Sequence, residues 1–215
     1  MDGAGERGRF ITLEGGEGAG KSTQARRLAA ALAAAGLPVL RTREPGGAPG
    51  AEAIRALLLG GVTAWDPTAE AMLHFAARRE HVLRTLRPAL AAGMWVVCDR
   101  FADSTLAYQG YGQGLPRAAF DALAALTLEG LVPDLTLILD LPPELGMARV
   151  AGRGEAATRY ERLGPAFHAR IRAGFRAIAA AEPERCVLVD AARPAEAVTA
   201  ELLALVRARL GAPLP

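Results

Sequence analysis

The sequence FITLEGGEGAGKST, residues 10–23, decides the fold of this chain. An apolar run suited to a β-strand leads into a glycine-rich turn, and an alanine-rich, helix-forming segment follows. The turn fits the phosphate-binding pattern in which Gly, four residues and Gly precede Lys and then Ser or Thr. Glycine lets the backbone direct its N–H groups at a phosphate, and the helix N-terminus adds positive potential. The alternative is a glycine-rich turn that binds no ligand.

Two side chains at the end of this loop carry the predicted chemistry. Lys21 is expected to reach the β- and γ-phosphates of a nucleoside triphosphate, and the Ser22 hydroxyl is expected to ligate Mg²⁺. Lys21 is also the only lysine of the chain, in which Lys and Arg together number 25. A strong preference for arginine has therefore not removed lysine from this one position.

Composition indicates a single globular domain of 215 residues. The hydrophobic fraction is 51%, and the net charge of +2 gives no strong electrostatic reason to bind nucleic acid or a membrane. Neither a secretory signal nor a long apolar span is apparent. Cys98 and Cys186 lie in apolar runs and are interpreted as buried free thiols, so a reducing, cytoplasmic location is expected.

Five apolar runs predict strands that alternate with helices. We therefore expect an α/β fold, a five-stranded parallel sheet with helices on both faces. The predicted strands are 10–14, 37–42, 94–98, 135–141 and 186–190. The predicted helices are 22–35, 51–59, 66–92 with a kink at Pro88, 116–128, 142–149, 165–181 and 194–210.

Polar residues fall where the predicted strands end, which is where parallel sheets bind ligands. Arg43 and Arg100 each follow a strand and could converge on one phosphate, although a surface ion pair is an alternative for each. Asp99 ends a buried strand where an acid would meet Mg²⁺ or its waters, or it pairs structurally with Arg100. Asp190 ends the last strand.

Glu17 places a negative charge inside a loop built to bind negative phosphates. Close to them it would be repelled by several kcal/mol at a low effective dielectric. We expect its side chain to point across the loop, toward an arginine or a hydroxyl of a second substrate. The alternative is a solvated carboxylate at the tip of the loop.

A second group of residues suits a planar base and a sugar. Phe75 and Arg79 lie four apart on the long helix and share a face, so a ring and a guanidinium could together bind a base. A core Phe beside an Arg that extends to solvent is the alternative. Side chains that could read a sugar or a base edge, or could cap the next helix, are Ser104, Thr105, Tyr108 and Gln109.

An arginine-rich, glycine-containing segment at about 150–164 is predicted to be a mobile lid. Its arginines could neutralise charge on a transferring phosphoryl group, and its closure would exclude water; a solvated charged loop is the alternative. The arginines in or beside it are Arg149, Arg153, Arg159 and Arg162. His74, His81 and His168 lack metal-ligand spacing and are interpreted as ordinary helix-face residues.

These motifs together resemble the bacterial thymidylate kinases along nearly the whole chain. The motifs that carry the resemblance are residues 13–24, 42–47, 75–79, 99–101, 104–110, 133–136 and 190–191. The resemblance implies ATP-dependent phosphorylation of thymidine monophosphate to the diphosphate, with Mg²⁺, in the synthesis of deoxythymidine triphosphate. It also implies a sheet of the P-loop nucleoside monophosphate kinase type and a homodimer.

The resemblance further implies roles for individual residues. Phe75 would stack on thymine, Arg79 would contact its carbonyl, Arg43 and Arg100 would hold the acceptor phosphate, and Glu17 would face the 3′-hydroxyl. Ser104, Thr105, Tyr108 and Gln109 complete the predicted acceptor site. The predicted donor-nucleotide site comprises Gly15, Gly16, Gly18, Ala19, Gly20, Lys21, Ser22, Thr23 and Asp190; the predicted metal site, Ser22 and Asp99; and the predicted catalytic residues, Lys21, Arg100, Arg153 and Arg159.

Two residues depart from the pattern of the resemblance. Arg78 stands where relatives often have an acid, and Phe101 replaces a more usual Tyr or His. Two alternative functions remain at this point. One is a kinase for another deoxynucleotide or nucleoside, and the other is a nucleotide-dependent switch or binding module. The lid arginines and the second set of phosphate-binding arginines argue against the switch.

Overall fold

The protein is described by a computed structural model that covers residues 7–60, 64–152 and 159–214. Five parallel strands form one sheet in the order β2-β3-β1-β4-β5. The strands are β1 (Phe10–Gly15), β2 (Val39–Arg43), β3 (Trp95–Asp99), β4 (Leu135–Asp140) and β5 (Cys186–Asp190). The predicted α/β class and the five-stranded parallel sheet are thus confirmed.

Nine α-helices lie between and after these strands in the described residues. They are α1 (Lys21–Ala34), α2 (Pro49–Leu59), α3 (Pro67–His81), α4 (Arg87–Ala91), α5 (Ala102–Thr105), α6 (Arg117–Leu128), α7 (Pro143–Ala151), α8 (Pro165–Ala181) and α9 (Ala195–Leu210). None of the helices in this part of the chain is long and apolar enough to cross a bilayer.

Alternation along β1 divides the core between the two faces of the sheet. Ile11 and Leu13 are fully buried in a cluster that includes Leu28 of α1 and Leu202 of α9. Phe10 points to the opposite face and packs in a cluster with side chains of β3 and of the long helical segment after α3. Both faces of β1 are therefore covered by helices, which places this strand in the middle of the molecule.

Two π-helical segments modify the predicted helices. The predicted helix 66–92 is interrupted by a π-helical segment at Val82–Leu86, immediately ahead of Pro88, and it continues as α4. A second π-helical segment, Leu106–Gly112, extends α5 in a region for which no helix was predicted. The second segment matters for function, because it carries Tyr108 and Gln109.

The strand order places a ligand crevice at the end of β1. The chain passes from β1 to β2 on one side and later to β4 on the other, which makes the carboxyl end of β1 a topological switch point. The glycine-rich loop lies there, and β2 and β3 end beside it with Arg43 and Asp99 opposite each other. The predicted site residues on the ends of β1, β2 and β3 thus meet at one edge of the sheet.

Candidate active site

A cleft of about 350 Å³ opens at this edge of the sheet, within the size range of small-molecule sites. Its lining residues come from the glycine-rich loop, the ends of β2 and β3, α2, α3 and the Leu106–Gly112 segment. They include Glu17, Gly18, Gly20, Lys21, Ser22, Thr23, Arg43, Arg55, His74, Arg78, Asp99, Arg100, Ser104, Thr105, Tyr108, Gln109 and Tyr160.

Two features of the loop require glycine: its backbone angles and the close approach of neighbouring atoms. Gly15, Gly18 and Gly20 have φ angles of 135°, 68° and 92°, a region that side chains disfavour. A Cβ atom at Gly18 would lie 2.1 Å from the carbonyl oxygen of Gly146 in α7. The loop therefore packs against α7 in a way that only glycine permits.

The Lys21 ammonium lies across this loop. Its Nζ donates to the carbonyl oxygens of Gly15 and Gly16 at 3.0 and 2.7 Å. Burial, and then the Arg100 guanidinium nearby, lower the pKa of Lys21 to about 8. The ammonium is thus held at the mouth of the loop, where it can meet phosphate oxygens.

Ser22 and Asp99 provide the oxygens for the predicted magnesium site. The Ser22 hydroxyl donates to Asp99 Oδ2 at 2.5 Å, which brings the start of α1 to the end of β3. Residues 7–60, 64–152 and 159–214 contain no group of three or more His, Cys, Asp or Glu side chains that could hold a metal ion by themselves. One hydroxyl and one carboxylate nevertheless fit Mg²⁺, because Mg²⁺ keeps several waters and takes its remaining ligands from substrate phosphates.

Glu17 points across the loop, as the repulsion argument required. Its Oε1 atom accepts hydrogen bonds from Arg100 Nη2 at 3.0 Å and from the Tyr108 hydroxyl at 2.7 Å. Burial opposes its ionisation, but Arg100, Lys21 and Tyr108 outweigh that effect and lower the pKa of Glu17 to about 2. The carboxylate therefore stays charged and holds two cleft side chains in place.

Arg100 is held by further contacts and by an unusual backbone. Its φ of 71° is in the left-handed region, although it is not glycine. Its guanidinium donates to the Gly15 carbonyl at 3.2 Å, to the Ser104 hydroxyl at 3.1 Å and to the Tyr108 hydroxyl at 3.0 Å. The side chain is therefore fixed in the cleft by several contacts.

Glu14 was not among the predicted site residues, although it binds the backbone that follows Arg100. Its buried carboxylate accepts from the backbone N–H of Phe101 at 2.7 Å and of Ser104 at 3.3 Å, and from the Ser104 hydroxyl at 2.6 Å. Burial and the neighbouring Asp103 raise its pKa to about 7. The Ser104 hydroxyl thus joins Glu14 to Arg100. A charged residue inside an otherwise apolar strand was the signal in the sequence.

Two arginines face the cleft from the β2–α2 side. Arg43 Nη2 donates to Glu52 at 3.0 Å, and Arg55 Nη1 donates to the Pro45 carbonyl oxygen at 2.7 Å. Burial, and then the Arg43 charge, lower the pKa of Arg55. Arg55 was not predicted to be a site residue. No sequence motif marks it, and only the packing of α2 shows that its side chain faces the cleft.

The predicted base-binding pair, Phe75 and Arg79, does not line the cleft. Phe75 is only 1% exposed and contacts Phe120 edge to face, with ring centroids 5.4 Å apart. Arg79 donates to the Thr127 carbonyl oxygen at 3.1 Å and to Glu129 at 2.8 Å. Successive side chains of a helix are about 100° apart, so the face toward α6 carries this pair. In this structure the predicted pair therefore lies one residue along α3 from the side chains that line the cleft.

The cleft face of α3 instead carries His74 and Arg78. Arg78 Nε donates to Glu44 at 2.7 Å, and Arg78 Nη2 donates to the Phe101 carbonyl oxygen and to the Thr105 hydroxyl at 3.0 and 3.1 Å. Its guanidinium lies 4.7 and 5.4 Å from the ring centroids of Phe75 and Phe101. The two departures noted in the sequence, Arg78 and Phe101, therefore contact each other.

The histidines on α3, which were interpreted as ordinary helix-face residues, take part in hydrogen bonds at and near the cleft. His74 lines the cleft, and its Nε2 atom lies 3.0 Å from the Tyr160 hydroxyl. Burial, and then the Arg78 charge, lower the pKa of His74 to about 3, so the ring is neutral. His81 is fully buried, and its Nδ1 atom lies 2.9 Å from Glu44.

The remaining predicted residues lie away from the cleft or outside the described chain. Arg153 is one of residues 153–158, which are not described. Arg159 is paired with Glu70, at 3.1 Å, and is not among the cleft-lining residues. The Asp190 side chain accepts from the N–H of Ala192 at 2.9 Å and is largely exposed at the end of β5.

The parallel sheet has this strand order, and the cleft at its carboxyl end has a phosphate loop on one side and several arginines on the other. These features define a P-loop phosphotransferase of the nucleoside monophosphate kinase class.

Comparison with known proteins identifies the family within this class. The family model described as thymidylate kinase matches residues 13–202. A thymidylate kinase from Caulobacter vibrioides is 57% identical over 205 residues, which are 95% of this chain and 98% of that protein. Another from Rhizorhabdus wittichii is 54% identical over 198 residues, 91% and 95% of the two chains. The chain belongs to the thymidylate kinase family.

A solved structure agrees with this assignment. The crystal structure of thymidylate kinase from Ehrlichia chaffeensis has a TM-score of 0.76 at 34% sequence identity. The match covers 93% of this chain and 99% of that one. The fold and the sequence motifs therefore lead to the same family.

The depressed pKa of His74 predicts a specific loss of stability in acid. The unfolded ring takes up a proton below about pH 6.5, whereas the folded ring stays neutral until about pH 3. Stability is therefore lost as the pH falls from 6.5 toward 3. In His74→Phe this loss is absent. We expect the free energy of unfolding of the wild type to fall by about 2 kcal/mol more than that of the variant between pH 7.5 and 5.

Urea denaturation at the two pH values measures this difference. The matched control is Tyr111→Phe, which changes an exposed aromatic ring and leaves every histidine in place. Parallel pH dependences for the wild type and His74→Phe would show that the ring is protonated equally in both states.

Proposed function

We propose that this cleft carries out the reaction of its family, the transfer of the γ-phosphate of ATP to thymidine monophosphate. The product is thymidine diphosphate, which is consumed in the synthesis of deoxythymidine triphosphate. The observation that carries the proposal is a two-sided cleft, in which a triphosphate-type loop with Lys21 faces Arg43, Arg55 and Arg100. A second phosphate needs such a second set of cations, whereas a switch that only binds a triphosphate does not.

On the donor side, the loop from Gly15 to Thr23 binds the phosphates of ATP through its N–H groups and the Lys21 ammonium. Ser22 and Asp99 would hold Mg²⁺. When bound, Mg²⁺ neutralises charge on the β- and γ-phosphates. Asp190 is the predicted contact of the chain with the donor nucleotide beyond its phosphates.

On the acceptor side, Arg43, Arg55 and Arg100 bind the phosphate of thymidine monophosphate. Glu17 keeps Arg100 in position and presents its carboxylate toward the 3′-hydroxyl. The hydroxyls of Thr105 and Tyr108 and the amide of Gln109 lie farther along the same wall, as do His74 and Arg78.

Arg78 is proposed to contact the base carbonyl in place of Arg79. Its side chain is only 2% exposed, and Nη1 is buried without a hydrogen-bond partner in the described residues. A buried donor of this kind is costly unless something accepts from it. A carbonyl oxygen of the acceptor base supplies that acceptor and would explain why the guanidinium lies at the cleft wall.

The chemistry is positioning and charge stabilisation without a covalent intermediate. An oxygen of the acceptor phosphate attacks the γ-phosphorus in line, the bond to the β–γ bridging oxygen breaks, and ADP leaves. Lys21 and Arg100 bind phosphate oxygens from opposite sides of the transferred group, where negative charge accumulates. Arg153 remains the predicted lid arginine.

A nucleotide panel tests the activity. We expect phosphorylation of thymidine monophosphate with ATP and Mg²⁺ to exceed that of cytidine, adenosine and guanosine monophosphates. Turnover is measured by coupled ADP release and product identity. Lys21→Ala is the control and should lose at least about a hundredfold in rate while keeping its fold, because it removes a cation from the transferred phosphate. Preference for another nucleotide, or retained turnover in Lys21→Ala, would contradict the proposal.

The one-residue offset between the two pairs on α3 predicts different effects of substituting two neighbouring arginines. Arg79→Ala should leave KM for thymidine monophosphate within about twofold of the wild type, because its contacts lie on the side of α6. Arg78→Lys keeps the charge but loses the planar fork, and it should raise that KM about tenfold. Steady-state kinetics measure both; a larger effect of Arg79→Ala would restore the original prediction.

The predicted homodimer is supported by apolar side chains on three helices that pack together. Leu57 of α2, Met72 of α3 and Leu126 of α6 are each more than half exposed, α3 packs against both other helices, and a partner subunit on this side would bury all three side chains. We expect a dimer in sedimentation equilibrium and dissociation in Leu126→Glu. A wild-type monomer at micromolar concentration would contradict this.

A further inference from the structure

A buried cluster of polar side chains lies behind the acceptor side of the cleft, next to His74 and Gln109. It is centred on Glu70, in the first turn of α3, and includes Gln113, Arg159 and Tyr160. Glu70 is fully buried although it carries a carboxyl group. A buried carboxylate is stable only when cations and hydrogen-bond donors surround it, so Glu70 needs its partners in this cluster.

Both carboxylate oxygens of Glu70 are occupied. Oε1 accepts from the Tyr160 hydroxyl in a short hydrogen bond, and Arg159 Nη1 lies 3.1 Å from it. Oε2 accepts from Arg159 Nη2 at 3.1 Å and from Gln113 Nε2 at 3.2 Å. The Arg159 guanidinium is therefore the counter-ion of Glu70. Moving it to a phosphate would leave a buried carboxylate without its cation.

The Tyr160 hydroxyl connects this cluster to the cleft. It lies 3.0 Å from His74 Nε2 and accepts from Gln109 Nε2 at 3.2 Å, and both residues line the cleft. A hydroxyl has one proton to donate and two lone pairs that accept. Because the proton goes to the anionic Glu70, the contact with His74 requires His74 to be the donor. The neutral ring then carries its proton on Nε2, which leaves Nδ1 as an acceptor.

We propose that Glu70 is a positioning residue for the acceptor nucleotide. Through the Tyr160 hydroxyl it fixes the tautomer and orientation of His74 and the amide of Gln109, and Arg159 serves as its counter-ion and does not contact the transferred phosphoryl group. The catalytic role predicted for Arg159 is thereby reassigned. The kinetic consequence rests on the proposed function, because the nucleotide bound at this wall is taken to be thymidine monophosphate.

Kinetics of Tyr160→Phe and Arg159→Gln test the proposal. Tyr160→Phe removes only the hydroxyl and keeps the ring packed against Tyr108, 5.3 Å away between centroids. We expect KM for thymidine monophosphate to rise about tenfold, with kcat within about threefold and KM for ATP unchanged. Arg159→Gln should give the same pattern. The double variant should be no worse than about the worse single variant, because both act through one cluster.

The control is Tyr111→Phe, which removes the hydroxyl of an exposed tyrosine in the same π-helical segment as Gln109 and should change neither constant. Thermal unfolding of each variant checks that it is folded. A drop in kcat of about a hundredfold in Arg159→Gln, with KM for thymidine monophosphate unchanged, would show that Arg159 acts on the phosphoryl group. An unchanged KM in Tyr160→Phe would contradict the positioning role.

Nitrogen-15 NMR of the histidine rings gives a test that does not depend on turnover. In the wild type, the His74 signals should show a protonated Nε2 and an unprotonated Nδ1. In Tyr160→Phe, both tautomers should become populated. A proton on Nδ1 in the wild type would overturn the inference even if the kinase activity is as proposed. A wild type with the expected tautomer but no thymidine monophosphate kinase activity would overturn only the proposed function.

Discussion

The pairing of Glu17 with Arg100 is the interaction on which the cleft depends. An acid in a phosphate loop is unfavourable unless a cation faces it, and Arg100 provides that cation at 3.0 Å. Arg100 in turn adopts a left-handed backbone conformation that costs free energy in a residue with a side chain. Glu14, below the turn, accepts its N–H groups and offsets that cost. The two glutamates of the loop region thus hold one arginine from two sides, and the acceptor site forms around it.

The same principle recurs elsewhere in the molecule. Arg78 with Glu44, Arg159 with Glu70 and Arg185 with Asp103 are ion pairs in which at least one partner is almost fully buried. Each joins segments that are far apart in the chain. Buried pairs of this kind contribute modestly to net stability, but they exclude alternative packings, because a misplaced member would leave the other charge unpaired. At the cleft, the pair with Glu44 fixes the position of Arg78 before any substrate enters.

The sequence predicted the sheet and the phosphate loop well, because both depend on local signals. Apolar runs of strand length identified all five strands, the glycine pattern identified the loop, and charge repulsion predicted the orientation of Glu17. For α3, the sequence alone could not choose between two faces of the helix. Phe75 with Arg79 and His74 with Arg78 have the same spacing of four, so periodicity allows both pairs. Only the packing of α3 against α6, which buries Phe75 against Phe120, selects the face that reaches the cleft.

One helical segment and several supporting residues were not predicted, and the cause is packing between distant parts of the chain. The π-helical segment that carries Tyr108 and Gln109 includes Gly110 and Gly112, so its helix propensity is low and tertiary contacts produce the helix. Glu70 and Tyr160 are ninety residues apart, and neither has a neighbour in sequence that reveals the other. Glu14 is the exception, because a charge in a buried strand could have been recognised as a supporting residue. Local sequence patterns thus predict the strands and the loop, whereas contacts between residues far apart in the chain determine the cluster around Glu70.

The arginine-rich composition has one practical consequence. Lys21 carries the only side-chain amine of the chain, and its lowered pKa leaves an appreciable fraction of it uncharged slightly above neutral pH. Acylating reagents and enzymes that modify lysine therefore have a single side-chain target, and it lies inside the phosphate loop. Every other cation at the cleft is a guanidinium, which such reagents leave intact. The extent of lysine labelling is thus expected to depend on whether a ligand covers the glycine-rich loop.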